Sequence, residues 1–236
     1  MKAIILAAGM GKRLQEVSGG LPKSMIRIGE KSIIHNQIQS CLEVNITSFI
    51  IVVGYKRDQL RKHILEVINE DQVIFVENPI FAETNTLYSL YLTCKFWEED
   101  FIYFNADVLF KKELLQKISA KSEHSQLLVE TKKCGEEEVK VILNDKGYIT
   151  EIGKKLDIEK CAGEFIGIGK FCRKTFPSFQ KHLEQSVKKG QENNFFEYAV
   201  NLLAEDCLLE AVSTEDIPCV EIDFPEDLDK AKELFS

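Results

Sequence analysis

The sequence has no apolar segment approaching the roughly 18 residues of a membrane-spanning helix. It has no linker rich in Gly, Ser or Pro and no internal repeat. Basic residues are outnumbered, 30 to 38, which leaves a net charge of −8. Because nucleic acids and anionic membranes are bound by excess positive charge, we expect neither partner. The hydrophobic content of 44% is typical of a globular protein, in which a local basic pocket can still bind a small anion.

The seven cysteines indicate neither a zinc site nor a disulfide framework. Their number is odd and no Cys-x-x-Cys pair occurs. The apolar run Ala3–Ala8 near the start is short for a signal peptide. We therefore expect reduced thiols and a cytoplasmic location.

Short apolar segments alternate with amphipathic helices in the first half of the chain. Three of these segments lack polar alternation and are predicted to be strands buried on both faces, namely Ala3–Leu6, Ile50–Val53 and Phe101–Phe104. The intervening helices carry their apolar residues on one face: Ile34, Ile38, Cys41 and Leu42 in the first, Leu60, Ile64, Val67 and Ile68 in the second, and Leu87, Leu90, Tyr91 and Cys94 in the third. This alternation predicts an α/β fold with a mainly parallel sheet flanked by helices.

The pattern changes from about residue 125. Two β-rich segments around a turn predict a hairpin over Val139–Leu143 and Tyr148–Ile152. The hairpin is followed by helices near 177–189 and 194–204, then by strands near 208–213 and 219–222, and by a last helix starting at Pro225. We predict one domain covering residues 1–236, with an antiparallel inset over about 125–210.

A glycine loop follows the first predicted strand directly, with the sequence Ala7-Ala8-Gly9-Met10-Gly11-Lys12-Arg13. Ligands of open α/β sheets bind beyond the carboxyl ends of the strands, where glycines let backbone N–H groups approach an anion. Lys12, Arg13 and the later Lys23 supply the positive charge that phosphates require. Leu14 stands where a dinucleotide fingerprint needs Gly or Ala, and Leu6 where a P-loop needs its first Gly, so both motifs are excluded.

The full string Leu6-Ala7-Ala8-Gly9-x-Gly11-x-Arg13, followed by Pro22-Lys23, resembles the family of sugar-1-phosphate and phosphocholine nucleotidyltransferases. The resemblance implies a Rossmann-like fold in which the loop over residues 6–13, Lys12 included, wraps the triphosphate of a nucleotide. It further implies that Arg13 binds the β and γ phosphates and that Lys23 contacts the phosphates near the reacting centre. Arg13 and Lys23 are thus the expected catalytic residues.

Two aspartates follow predicted strands and are candidates for binding Mg²⁺. Asp107 ends the third buried strand, and Asp223 follows Val220–Ile222. Carboxylates at neighbouring strand ends suit Mg²⁺, which prefers oxygen ligands and commonly bridges protein and phosphate. Without the resemblance, a turn residue at a strand end is a less favoured alternative for Asp107, and a capping box with Glu226 is an equal alternative for Asp223. The resemblance favours metal binding at both positions, although Ala106 replaces the Gly found in many members.

The segment Thr84-Asn85-Thr86 clusters polar side chains at the start of the third helix. Helix capping by Thr84 or Asn85 explains them without a ligand. The segment also resembles the part of phosphocholine and 2-aminoethylphosphonate cytidylyltransferases that lies beside the base. On that resemblance all three residues are nucleotide-binding candidates and CTP is the expected donor.

Three residues are candidates for binding the acceptor. Lys154 and Glu164 occupy segments that resemble the family's acceptor-side elements, in which a Lys meets the acceptor phosphate and a Glu meets its polar body. Glu197, among aromatic residues, suits an ammonium group. A solvated hairpin end is a less favoured alternative for Lys154, and an ordinary helix start is an equal alternative for Glu197.

Together these residues predict an Mg²⁺-dependent cytidylyltransferase that transfers CMP from CTP to a small phosphorylated or phosphonylated acceptor and releases pyrophosphate. The attacking phosphate is already an anion near neutral pH, so no general base is needed, and none of the four histidines is paired with a nucleophile. The alternatives are a sugar-1-phosphate nucleotidyltransferase that uses UTP, dTTP or GTP, and a nucleotide-binding module without turnover.

Overall fold

The computed structural model of the chain describes residues 1–235. The strands are β1 Lys2–Ala7, β2 Arg27–Ile28, β3 Lys31–Ser32, β4 Phe49–Val53, β5 Val73–Glu77, β6 Phe101–Asn105, β7 Val108–Phe110, β8 Ser125–Glu130, β9 Lys140–Leu143, β10 Ile149–Gly153, β11 Gly163–Phe171, β12 Leu209–Ser213 and β13 Cys219–Glu221. The helices are α1 Ile33–Glu43, α2 Arg57–Ile64, α3 Thr86–Tyr91, α4 Glu113–Ser119, α5 Phe176–Lys188, α6 Phe196–Asp206 and α7 Pro225–Phe235.

One half of the nine-stranded main sheet is parallel. β1 lies between β4 and β6, and β5 extends the sheet beyond β4. These are the wholly apolar segments of the sequence, and every residue of β4 is buried. Helices on both faces cover them, which explains why the strands lack polar alternation. The predicted α/β architecture is confirmed.

The other half of the sheet is largely antiparallel and is built around the long strand β11. β11 runs antiparallel to β6, β8 and β9, and β9 forms a hairpin with β10 as predicted. β12 pairs with β8 in parallel at the far side. The inset is thus continuous with the main sheet. Its strands begin next to β6, one of the parallel strands.

The second helix is shorter than its apolar pattern predicts. α2 ends at Ile64, and Leu65 caps it. Val67, which was expected on the inward face, is 40% exposed, whereas Ile68 is buried by the chain returning toward β5. The apolar pattern of the sequence extends past Ile64 because Ile68 lies in the bend after the helix and still packs into the core. Within residues 1–235, no helix combines the length and apolarity needed to span a bilayer.

Candidate active site

The carboxyl ends of β1 and β6 lie side by side and carry the two motifs of the sequence. β1 leads into the glycine loop, and β6 leads into the turn that holds Asp107. β13 reaches the same edge by pairing antiparallel with β7, and the Ile222 N–H donates to the Asp107 carbonyl at 3.0 Å. This pairing brings Asp223, 116 positions along the chain, beside Asp107.

Lys23 joins the two aspartates. Its Nζ lies 2.6 Å from a carboxylate oxygen of Asp107 and 2.6 Å from one of Asp223. Burial alone would lower the pKa of Lys23, but the two carboxylates outweigh that effect and raise it above its ordinary value. For Asp223, burial acts to raise the pKa, and Lys23 more than offsets this, so the pKa falls below the usual range. Lys23 and Asp223 are therefore both charged at neutral pH.

Gly11 allows the glycine loop to close on Lys23. Its φ is +57°, and a Cβ at this position would lie 2.7 Å from the Lys23 Cβ. Any side chain would therefore clash as well as strain the backbone. Beyond the loop, Leu14 is buried and anchors the chain. The glycine in the motif thus has a packing role that fixes Lys23 against the loop.

Arg13 stands at the rim of the same cluster. Its guanidinium lies 3.9 Å from an Asp223 oxygen and 4.8 Å from the centre of the Phe224 ring. The side chain is 56% exposed, and Lys12 beside it is exposed too. Both cations are therefore accessible to a ligand entering from solvent.

A third carboxylate, which the sequence analysis did not assign, completes the acidic cluster. Oxygens of Asp107, Glu221 and Asp223 lie within 4.8 Å of one another. Burial, followed by the charges of the two aspartates, raises the pKa of Glu221 well above its usual range. The signal was present in the sequence: Glu221 lies two residues before Asp223 in the predicted strand segment, and residues two apart in extended chain face the same side.

The cluster fits Mg²⁺. Carboxylate oxygens are the ligands that this ion prefers. One oxygen of Asp107, Oδ1, is buried and has no hydrogen-bond partner among the described residues. A buried carboxylate oxygen without a partner is costly, and a bound cation would satisfy it.

The alternative role of Asp223 as a helix cap is not observed. Its carboxylate binds Lys23, and the described hydrogen bonds include none between Asp223 and Glu226. Asp227 serves instead, since its Oδ2 accepts from the N–H groups of Asp223 and Phe224 at 2.9 and 2.7 Å. The side chain of Asp223 is thus left available to the cluster.

A cavity of about 440 Å³ opens beside the cluster. On one side it is lined by Gly9 and the three carboxylates, and on the other by the antiparallel inset. The predicted site residues that line it are Leu6, Gly9, Asn85, Thr86, Asp107, Lys154, Glu164, Glu197 and Asp223. The other predicted residues of the glycine loop and Lys23 do not line it, namely Ala7, Ala8, Gly11, Lys12, Arg13 and Lys23.

The polar segment before α3 divides between ligand-facing and structural roles. Asn85 caps α3 by accepting from the Thr86 N–H, and both residues line the cavity. Thr84 does not line it. Its hydroxyl donates to the Ile80 carbonyl and accepts from Asn78. The prediction that Thr84 binds the nucleotide therefore finds no support in its position, because its hydroxyl is occupied within the loop.

Glu164 has a partner that the sequence analysis missed. Lys132, just after β8, lies 2.5 Å from Glu164 and 3.1 Å from Glu130. Burial raises the pKa of Glu164 above its usual value, although Lys132 counteracts part of the shift. No sequence pattern linked these residues, because β8 and β11 become neighbours only through the register of the sheet.

Glu197 and Lys154 face the cavity with little pairing. Oε2 of Glu197 is buried and has no partner among the described residues. Burial raises the pKa of Glu197, and the more distant charge of Lys154 offsets it in part. The closest carboxylate to the Lys154 ammonium is Glu137, at 3.8 Å.

A sequence model of the family described as nucleotidyl transferase matches residues 2–149, which include the glycine loop, Lys23 and Asp107. The chain belongs to the nucleotidyl transferase family. The resemblance that the glycine loop predicts is thereby confirmed, and the protein is a nucleotidyltransferase.

Known relatives of this nucleotidyltransferase extend the match beyond residue 149. The CTP:phosphoglutamine cytidylyltransferase of Campylobacter jejuni is 27% identical over 252 residues, covering 97% of this chain and 98% of that protein. The inositol-1-phosphate CTP transferase of T. maritima has a TM-score of 0.81 at 26% identity, covering 99% of this chain and 94% of that one. The CTP:phosphocholine cytidylyltransferase of Streptococcus pneumoniae shares the fold, with a TM-score of 0.83 at 23% identity and coverage of 100% and 99%.

One further residue of this nucleotidyltransferase supports the site from behind. Gln37 of α1 is fully buried, and its Nε2 donates to the carbonyls of Asn105 at 2.8 Å and Val108 at 2.9 Å. These two carbonyls stand on either side of Asp107. Gln37 therefore fixes the turn that carries the aspartate. In the sequence it is an isolated polar residue on the apolar face of a helix, and that is the signal by which it could have been found.

Proposed function

We propose that this nucleotidyltransferase is an Mg²⁺-dependent cytidylyltransferase, which transfers CMP from CTP to a small acceptor that bears both a phosphate or phosphonate and a cationic group. Pyrophosphate is the second product. The observation that carries the proposal is the Lys23 ammonium, held 2.6 Å from both Asp107 and Asp223 against the glycine loop at the edge of the cavity.

The chain's own part in the reaction is to position two polyanions and neutralise their charge. The raised pKa of Lys23 keeps its ammonium protonated at neutral pH. Arg13, at the rim, adds a mobile guanidinium, and the N–H groups of the glycine loop add fixed partial charges. Oriented positive charge of this kind stabilises the charge that develops on phosphate oxygens as the α-phosphate is attacked.

The acceptor supplies its own nucleophile. The second pKa of a phosphate monoester is near about 6, so the attacking oxygen is an anion at pH 7. No histidine occurs among the described residues that line the cavity. The rate then depends on the approach of the two substrates rather than on a proton-accepting side chain.

Asp107 and Asp223 are the residues that would hold Mg²⁺, with Glu221 close enough to assist. When bound, the ion would supply positive charge next to the phosphates. The buried, unpartnered Oδ1 of Asp107 supports this assignment.

Two considerations support CTP as the donor. The C. jejuni and T. maritima relatives, whose match spans nearly the whole chain, are named for CTP. Asn85 and Thr86 offer amide and hydroxyl groups to the cavity beside Gly9. Such groups suit the polar edge of a base.

The acceptor half of the cavity favours a cation. Five carboxylates line it, namely Glu130, Glu137, Glu138, Glu164 and Glu197, and they outnumber the three lysines of the whole cavity lining, Lys132, Lys154 and Lys230. Since Oε2 of Glu197 has no partner, an ammonium group on the acceptor would supply the missing charge. A neutral hexose 1-phosphate would leave this carboxylate unpaired, so we favour an amine-bearing or quaternary-ammonium acceptor.

The test is a pyrophosphate-release assay that crosses CTP, UTP, GTP, ATP and dTTP with five acceptors in MgCl2. The acceptors are phosphocholine, 2-aminoethylphosphonate, a phosphorylated amide of an amino acid, inositol phosphate and glucose 1-phosphate. We expect the highest kcat/KM with CTP and one of the first three acceptors. A preference for a purine nucleotide or for glucose 1-phosphate would refute the proposal.

A further inference from the structure

Two of the seven free cysteines meet at the acceptor side of the cavity. The Sγ atoms of Cys134 and Cys161 lie 2.8 Å apart. Among residues 1–235 this is the one thiol pair in hydrogen-bonding contact; the other five cysteines lie singly. Because the sulfurs already touch, joining them requires little movement of the backbone.

The pair links the two segments that wall the acceptor side. Cys134 lies two residues after Lys132, and Cys161 lies three residues before Glu164. A buried lysine already ties the same walls together, since the Lys140 Nζ donates to the carbonyls of Glu136 and Lys154. The two segments are therefore held together by Lys140 as well, and this keeps the two sulfurs in contact.

We propose that Cys134 and Cys161 are a redox modification site, at which a peroxide forms a reversible disulfide that locks the acceptor-side wall. The partly exposed Cys161 reacts first, taking an oxygen from the peroxide to give a sulfenic acid and releasing an alcohol or water. The Cys134 sulfur then displaces that hydroxyl, which leaves as water, and the S–S bond forms. Both thiol protons end in the released molecules, and a dithiol reverses the reaction by exchange.

The environment of the two thiols sets this order. Cys134 is buried, at 4% exposure, and burial, followed by the neighbouring Cys161, raises its pKa to about 12. A thiol of this kind is a poor first nucleophile. It becomes the resolving thiol because its partner is adjacent.

The effect on the enzyme rests on the proposed function. Oxidation would hold Lys132 against Glu164, where the pair is 2.5 Å apart. A cationic acceptor must compete with Lys132 for this carboxylate. We expect the acceptor KM of the oxidised enzyme to rise about tenfold, the change expected when one hydrogen bond to a charged group is lost. The KM for CTP stays unchanged, because the glycine loop is not part of the cross-link.

The cross-link itself is tested by peptide mapping of the whole chain. Reduced enzyme is treated with hydrogen peroxide, free thiols are alkylated, and the digest is analysed without reductant. We expect a peptide that joins Cys134 to Cys161, removed by dithiothreitol. Cys207→Ser, at another partly exposed thiol, should retain it, whereas Cys134→Ser and Cys161→Ser should lose it. Full alkylation of both thiols after oxidation, or equal linkage of Cys161 to other cysteines, overturns the proposal.

The functional half is tested on the same oxidised sample, with the acceptor of highest kcat/KM from the panel above. An unchanged acceptor KM in fully cross-linked enzyme contradicts the locking effect, and a rise that also occurs in Cys161→Ser does the same. If no acceptor supports turnover, the proposed function fails, whereas the peptide map still decides the cross-link.

Discussion

The carboxylates of the proposed nucleotide side, Asp107 and Asp223, share one lysine, whereas Glu197 on the proposed acceptor side has no charged partner among the described residues. On the nucleotide side, Lys23 bridges Asp107 and Asp223 at 2.6 Å. On the acceptor side, Oε2 of Glu197 has no partner in the described chain, and Lys154 reaches Glu137 only at 3.8 Å. In the first set, Asp107 follows the parallel strand β6 and Asp223 follows β13, which pairs with β7; the second set stands on a helix start and a hairpin end.

We infer that the first set binds a part of the substrates that is the same in every reaction, the triphosphate, and that the second set binds the part that can differ, the acceptor. Groups at strand ends are held by the sheet, which suits a triphosphate whose shape does not vary. On the proposed acceptor side, Oε2 of Glu197 has no partner among the described residues and is left for the ligand to complete.

Lys23→Ala should remove most of the turnover. We expect kcat to fall about 10³-fold, since a single preorganised charge at the reacting phosphates contributes on this scale. Circular dichroism should show an unchanged fold, and the exposed Lys62→Ala serves as the matched control. Activity close to that of the control would show that the nucleotide side does not depend on this charge.

Asp107→Asn and Asp223→Asn should each lower kcat about 10²-fold or more at fixed MgCl2, because each removes a charge at the proposed metal site. The matched comparison is Asp227→Ala, which removes the observed helix cap. That variant should lose about 1 kcal/mol of stability and less than tenfold in rate. If Asp223→Asn lowered the thermal midpoint and spared the rate, Asp223 would be a capping residue after all.

Glu197→Gln should act on the acceptor alone. We expect the acceptor KM to rise about tenfold with the KM for CTP unchanged, since an ammonium group would lose a charged partner. The exposed Glu205→Gln, in the same helix, is the control. Equal changes in both KM values would show that the two sides of the cavity are not separable.

We also expect Glu197→Gln to change how the stability of the protein depends on pH. The pKa of Glu197 is raised in the folded state, mainly by burial. The folded protein therefore holds this proton more tightly than the unfolded chain does, and stability falls as pH rises from the ordinary Glu value through the raised one. Glu197→Gln should remove this part of the decline, as measured by thermal unfolding over that pH range. An unaltered profile would contradict the burial of an unpaired carboxylate.

Gln37→Leu should have the smallest effect, because Gln37 is a positioning residue. Losing its bonds to the Asn105 and Val108 carbonyls should lower kcat about fivefold, about the value of one neutral hydrogen bond. The acceptor KM should not move, which distinguishes a displaced Asp107 from general loosening. Gln116→Leu, at an exposed position, controls for the substitution itself.

The parallel half of the fold could be predicted from sequence, and the junctions of the inset could not. Wholly apolar segments such as Phe49–Val53 identify strands that helices cover on both faces. The hairpin was equally clear, because a turn separates its two β-rich segments. By contrast, nothing local indicates that β11 pairs with three different strands, since that register arises from distant parts of the chain.

The candidate site, too, could be predicted from the sequence only in part. Lys23, Asp107 and Asp223 follow from motifs and strand ends, but their common ion pair depends on β13 pairing with β7. Lys132 was missed because its partner Glu164 is 32 positions away on another strand. Thr84 was assigned to the nucleotide because its segment resembles one in known cytidylyltransferases, whereas its own hydroxyl bonds within the loop.

The most direct test of the central claim is a crystal structure of the enzyme with CTP and MgCl2. The account predicts that the triphosphate lies against the N–H groups of residues 8–13 and the Lys23 ammonium, with the metal on Asp107 and Asp223. A triphosphate bound elsewhere, with no contact to residues 8–23, would contradict it.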